Sequence, residues 1–193
     1  MKHCLGDNFQ NLARAYLLDG FRKGLPSLFS DVKGLYTNPA KLQAVEELVL
    51  EMKQDEALAP RPSAPNDSSA LPESPTTYLW ILYFLAQHYS HTRRYSEALD
   101  ILNEAITHTP TLPELYTCKG RVLKRAGDLI GAVQCLEEAR LLDKQDRFLN
   151  TKSAKYHLRA GLSEEAQPIL GLFTKVGYMF KFLGRLILRL RLY

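Results

Sequence analysis

The chain has 193 residues, 46% of them hydrophobic, with 25 Lys and Arg against 21 Asp and Glu for a net charge of +4. This apolar content is enough to bury a core and excludes a disordered polyelectrolyte. The charge permits an acidic partner but is too small by itself to argue for nucleic acid. Cys4, Cys118 and Cys135 share no metal-type spacing, and an odd count fits free thiols in a reducing compartment. The start, MKHCLGDNFQ, is too polar for a secretory signal. The expected location is therefore cytoplasmic, with the nucleus also open. No stretch reaches the ~18 uninterrupted apolar residues of a membrane span.

Residues 1–55 read as an N-terminal helical segment. A first helix is expected from about Asn8 to Leu18, with Leu12, Ala15 and Tyr16 on one face, punctuated by Gly20 and Gly24. Pro26 is placed to open a second helix through LPSLFSDVKGLY. Asn38-Pro39 is a cap followed by a first-turn proline. It predicts a third helix to about Met52 carrying Leu42, Val45, Leu48 and Leu50. Residues 56–77 hold five of the ten prolines among Ala, Ser, Asn and Asp, and read as a flexible linker.

From 78 to 174 the sequence repeats. Ala98, Ala132 and Ala166 stand 34 residues apart, as do Leu102, Leu136 and Leu170, and Ala86, Gly120 and Ala154. Gly127 is matched by Gly161. This period and pattern of small and large residues is that of the tetratricopeptide repeat, a helix–turn–helix unit. The fold class expected is thus all-α, a short helical solenoid with an N-terminal helical layer. Two repeats are complete, Tyr78–Pro110 and Pro113–Asp146. A third begins near Arg147 and departs from the pattern at Pro168, which should break or kink its second helix.

In such repeats the first helix lines the concave groove. Its inward positions hold Arg121, Lys124 and Arg125 in the second repeat, and Lys152, Lys155 and Arg159 in the third. His91 stands at the matching place in the first. Residues three and four apart share a helix face, so these cations would line one groove. The groove suits a polyanion such as an acidic peptide, an inositol polyphosphate or ribosomal RNA. A solvated charged face is the plainer alternative. The aromatic cluster around Trp80, Tyr83 and Phe84 reads first as core packing and second, with His91, as a candidate docking surface for a partner.

No catalytic residues are assigned. Nothing in the chain forms a nucleophile elbow, a Ser–His–acid arrangement or a glycine-rich phosphate loop. His88 and His91 lack further ligands at metal spacing. The tail, residues 175–193, carries Lys175, Lys181, Arg185, Arg189 and Arg191 among apolar residues and no acid. A cap over the last repeat is the first reading of it; an amphipathic membrane-surface segment is the second.

The runs GFRKGLPSLFSDVKGLYTNPAKLQAVEELV, LAQHYSHTRRYSEALDILNEAITHTPTLPELY and DRFLNTKSAKYHLRAGLSEEA resemble the large auxiliary subunit of the NatA amino-terminal acetyltransferase. The resemblance covers roughly residues 8–174 of a family several times longer, and the tail does not share it. It implies a non-catalytic helical scaffold that wraps a separate catalytic subunit and docks the complex on ribosomes for co-translational acetylation. It also implies an inositol polyphosphate held between the subunits as a structural ligand, and no acetyl-CoA site on this chain. Two readings from the residues alone stay beside it. One is a tetratricopeptide module for acidic peptides; the other is a membrane-surface or RNA adaptor acting through the basic tail.

Overall fold

The computed structural model describes residues 7–55 and 75–172. The described residues form helices joined by short turns, with no strand among them: α1 (Asp7–Arg22), α2 (Leu28–Val32) running into a 3-10 segment (Lys33–Thr37), α3 (Pro39–Gln54), α4 (Pro75–His91), α5 (Tyr95–His108), α6 (Pro113–Ala126), α7 (Leu129–Leu142), α8 (Arg147–Arg159) and α9 (Ser163–Gly171). They gather into two compact units, one ending at Thr109 and the other beginning at Pro110. The stretch 56–74 and the tail from 173 lie outside the described residues, and with them most of the expected linker.

The chain does not divide at that linker. In the first unit α4 packs against α1, α2 and α3 as well as its hairpin partner α5. The N-terminal segment is thus joined to the first repeat in one core. A mean hydropathy high all round α4 calls for this, since a helix apolar on every face is stable only when covered on every face. Each residue from Ile81 to Ser90 is buried. The helix also begins at Pro75, three residues inside the expected linker, with Thr77 fully enclosed.

Three details of the N-terminal helices differ from expectation. α1 runs four residues past Leu18, through Gly20, because the close approach of Leu28 requires a residue without a side chain there: a Cβ on Gly20 would lie 2.7 Å from Leu28 Cδ1. It also turns the other face inward. Leu17 and Phe21 are buried, whereas Leu12 is 64% and Tyr16 54% exposed. Pro26 does not open α2, which starts at Leu28. α3 starts where Asn38 places it, the side chain accepting from Ala40 N at 3.0 Å and Lys41 N at 3.4 Å. Its buried face holds Val45, Leu48, Val49 and Met52, with Leu50 only half-buried.

The 34-residue step is a packing rule. Ala86, Ala98, Ala132, Ala154 and Ala166 are fully enclosed, and Gly120 is buried at the same kind of helix crossing. A Cβ on Gly120 would stand 2.1 Å from Leu136 Cδ2 and 3.1 Å from the Ala132 carbonyl oxygen. The turns keep the step too. Gly127 and Gly161 have φ of +98° and +83°, and the equivalent place in the first repeat is filled by Arg93 at +64°. A non-glycine residue there carries a backbone cost that glycine avoids. Asp128 follows Gly127 as a true cap, accepting from Gly131 N at 2.8 Å.

Pro168 does not break α9. The helix runs through it to Gly171, held by Ile169 and Leu170, which pack with Ala154 and Leu158 of α8. Pro168 itself is exposed, and the carbonyl that its ring would crowd belongs to the first turn of the helix.

Candidate polyanion-binding face

The second unit brings together the six cations that the repeat pattern singled out. Arg121, Lys124 and Arg125 occupy the C-terminal half of α6; Lys152, Lys155 and Arg159 run along α8. Their proximity shows in their acidities. Burial first, and then the charges of Arg159, Arg125 and Arg121, hold the Lys124 ammonium below its usual pKa. Burial, followed by Arg121, Lys124 and Lys155, does the same for Lys152. None of the ion pairs among the described residues involves Arg121, Lys124, Lys152, Lys155 or Arg159. Such like charges held close raise the local potential and favour an anion.

Two aromatic rings belong to the same face, and spacing from Lys152 alone could have found them. Phe148 lies four residues before it and Tyr156 four residues after it. Lys152 Nζ sits 4.7 Å from the Phe148 ring centre and Lys124 Nζ 5.7 Å from that of Tyr156. Rings under ammonium groups stabilise clustered lysines without neutralising them. Below the cations, Cys118 is 1% exposed, and burial pushes its thiol above the ordinary range.

Behind α8, Glu137 pairs with Arg140 and accepts from Ser153 Oγ at 3.1 Å; His157 Nδ1 is 3.0 Å from the Ser153 carbonyl oxygen. Serine, histidine and glutamate meet here, but the serine donates to the glutamate and both Ser153 and His157 are buried. The cluster satisfies buried polar groups and presents no nucleophile.

The docking candidates of the first unit fare differently. Phe84 is 2% and Tyr83 6% exposed. Phe84 sits edge-on to Phe21 and to Phe29, each at 5.6 Å between ring centres. The N-terminal helices therefore cover Phe84, and Tyr83 is buried as well, so neither offers an exposed surface to a partner. Trp80 is half-buried against Tyr83, and Gly24 allows its close approach. His91 is exposed but packs edgewise on the rings of Phe29 and Tyr36.

Beside it lies a network the sequence did not announce, because its members come from distant segments. His88, fully enclosed, has Nδ1 2.6 Å from Tyr36 Oη and Nε2 3.1 Å from Glu46 Oε2. Arg94 reaches the other oxygen of Glu46 at 2.5 Å, bonds Glu97 at 2.9 Å and stacks on Tyr89. A second network joins α3, α4 and α5: Glu104 accepts from Lys53 at 2.7 Å and from Tyr78 at 2.5 Å, and burial and that carboxylate push the Tyr78 phenol up to about 12. Among the described residues no group of three His, Cys, Asp or Glu is placed to hold a metal ion, and no helix is long and apolar enough to cross a membrane.

Known proteins place this geometry in context. The family model for the N-terminal acetyltransferase A auxiliary subunit matches residues 1–183. The match runs nine residues into the stretch 175–193, read above as unrelated to the family. An Arabidopsis thaliana N-terminal acetyltransferase A complex auxiliary subunit, NAA15, is 42% identical over 171 residues, covering 89% of this chain and 19% of its own length. The human N-alpha-acetyltransferase 16, NatA auxiliary subunit, is 40% identical over 176 residues, covering 89% and 20%. The chain thus spans about a fifth of the length of these relatives. A chain in a solved structure of Naa15/Naa10 bound to HypK-THB superposes with a TM-score of 0.75 at 34% identity, over 89% of this chain and 24% of that one. MamA, at 17% identity and a TM-score of 0.51, shares the fold alone.

Proposed function

The chain belongs to the NatA auxiliary-subunit family, and from that premise we propose that it is a non-catalytic scaffold of an amino-terminal acetyltransferase. Its work is to hold a catalytic subunit and help bring it to nascent chains at the ribosome, in the cytoplasm. The observation that carries the reading is the likeness to the chain solved in the Naa15/Naa10 structure, which extends through the N-terminal helices as well as the repeats.

The α6/α8 face takes a compact polyanion, with an inositol polyphosphate as the structural ligand. Arginine supplies forked contacts to phosphate oxygens and lysine mobile point charges. Co-expression with the catalytic subunit of an amino-terminal acetyltransferase, followed by affinity purification on this chain, tests the scaffold. Recovery of both chains, with acetylation present only when both are present, is the expected result. Failure to recover the catalytic subunit, or acetylation by this chain alone, would contradict it.

A further inference from the structure

The chain has one pair of adjacent arginines, Arg93-Arg94, and the run continues through Tyr95 to Ser96. Ser96 is exposed in the first turn of α5, and both arginines are exposed in the turn before it. Arg93 takes the left-handed position, φ +64°, that Gly127 and Gly161 fill in the other two repeat turns. It enters none of the ion pairs among the described residues, so no carboxylate there competes for its guanidinium. Two arginines at fixed offsets before a hydroxyl form a charge pattern by which kinases with acidic substrate grooves choose their serine. Arginine suits such a groove because its fork takes carboxylates bidentately.

A phosphate on Ser96 would meet a cation already in place. Arg94 Nε bonds Glu97 Oε1 at 2.9 Å, so the guanidinium lies against the first turn of α5. It also reaches Glu46 of α3. Arg94 is the N-cap residue and makes no side-chain cap bond. A phosphoryl group beside that end of the helix brings close to two negative charges and three acceptor oxygens. Glu97 and Asp100, one and four residues on, oppose it; Arg93 and Arg94 answer it. We propose that Ser96 is a phosphorylation site for an arginine-directed serine/threonine kinase, with Arg94 as the counter-ion of the phosphate it gains. In the transfer the Ser96 hydroxyl oxygen bonds the γ-phosphorus of a nucleoside triphosphate. The bridging bond to the β-phosphate breaks, the diphosphate leaves, and the hydroxyl proton passes to the base of the kinase. The new phosphate then competes with Glu46 and Glu97 for Arg94.

The test incubates the full chain with magnesium, ATP and the catalytic subunit of the cyclic-AMP-dependent kinase, the arginine-directed probe. An acid-directed kinase is the comparison, and mass spectrometry counts and places the phosphate. The arginine-directed kinase should place one phosphate on Ser96, and the acid-directed one none there. Ser96→Ala should abolish the incorporation. Arg93→Gly suits the left-handed turn and should slow incorporation at least about tenfold, the loss of one charge-assisted contact. Urea midpoints on fully modified chains test the counter-ion: Arg94→Met should lose more, or gain less, from the phosphate than the parent chain does. Incorporation into a synthetic peptide of residues 89–100 but not into the chain would show the folded turn closed to a kinase and overturn the site. Phosphate placed only elsewhere, or an undiminished rate in Arg93→Gly, would also overturn it. An equal midpoint change in the parent chain and Arg94→Met would overturn the counter-ion.

Discussion

The contact of α3 with α4 and the face of α6 and α8 use charge in opposite ways. In the first, carboxylates answer their neighbours: Glu46 serves both His88 and Arg94, and Glu104 serves both Lys53 and Tyr78. In the second, five cations stand together with no ion-pair partner among the described residues, and the pKa values of Lys124 and Lys152 are lowered by burial and by the neighbouring charges. The two regions share one frame, since small residues let helices cross closely in both. Their electrostatics differ because carboxylates answer cations within the first region, whereas the five cations of the second form none of the ion pairs among the described residues. Like charges held close lower stability, and the proposed polyanion would relieve that cost.

The shared frame gives the largest expected effect. Ala132→Leu adds methylene groups at a fully enclosed crossing opposite Gly120, which has no room to give. Overpacking of this kind costs about 1–3 kcal/mol. In a unit this small that lowers the melting temperature by roughly 4–8 °C per kcal/mol. Gln134→Leu, on the exposed side of the same helix, should change stability by no more than about 0.5 kcal/mol. Equal melting temperatures in calorimetry would mean that the repeat frame does not set the packing.

The paired region should respond to pH. Burial holds His88 below its ordinary value of 6.5, against the opposing pull of Glu46; Arg94 and His91 also lower it. Tyr36 and Tyr89 face the same ring, and Phe21 and Phe29 on the remaining helices carry no charge. With the folded pKa depressed, the unfolded chain takes up the proton first. Stability is therefore full above about pH 6.5 and falls as pH drops from there toward the folded pKa. Urea midpoints measured between pH 7.5 and 5 should show this decline, and His88→Gln should flatten it. A profile that falls identically in both chains would move the sensitivity to another group.

A smaller effect separates the two regions most finely. Lys152→Met keeps the stem over Phe148 and removes one of the clustered charges. At low salt it should stabilise the ligand-free chain by about 0.5 kcal/mol, an effect that fades as salt screens the cluster. Arg94→Met, which breaks a satisfied pair, should destabilise at both salts. Two losses of the same sign, read from denaturation midpoints, would erase the distinction.

How much of this was legible in the sequence differs along the chain for physical reasons. The repeat helices, the Asn38 cap and the glycine turns follow from local chemistry or from a strict period, and they stand where the residues placed them. The face of α1 did not, because Leu12, Ala15 and Tyr16 satisfy the same periodicity as Leu17 and Phe21. Packing partners far along the chain, such as the ring of Phe84 against Phe21, decide between them. Arg93 hid the third left-handed turn, since no glycine marked it. On the α6/α8 face the cations were readable from spacing, but nothing in the repeat pattern singled out Phe148 and Tyr156, whose rings lie under Lys152 and Lys124. The His88 network could not be read at all, because Tyr36 stands 52 positions from its partner.

The most direct test of the contrast between the α3/α4 contact and the α6/α8 face is calorimetric titration with a fully phosphorylated inositol at two salt concentrations. One exposed ion pair is worth only about 0–1 kcal/mol, so binding requires the cations to act together. The intact chain should bind at low salt and weaken steeply as salt is added. Replacing Arg121, Lys124 and Arg125 together with Ala should weaken binding at least about tenfold, whereas Arg94→Ala should leave it unchanged. Absence of binding at low salt, or equal loss in the two variants, would make the α6/α8 cations an ordinary solvated surface and contradict the account.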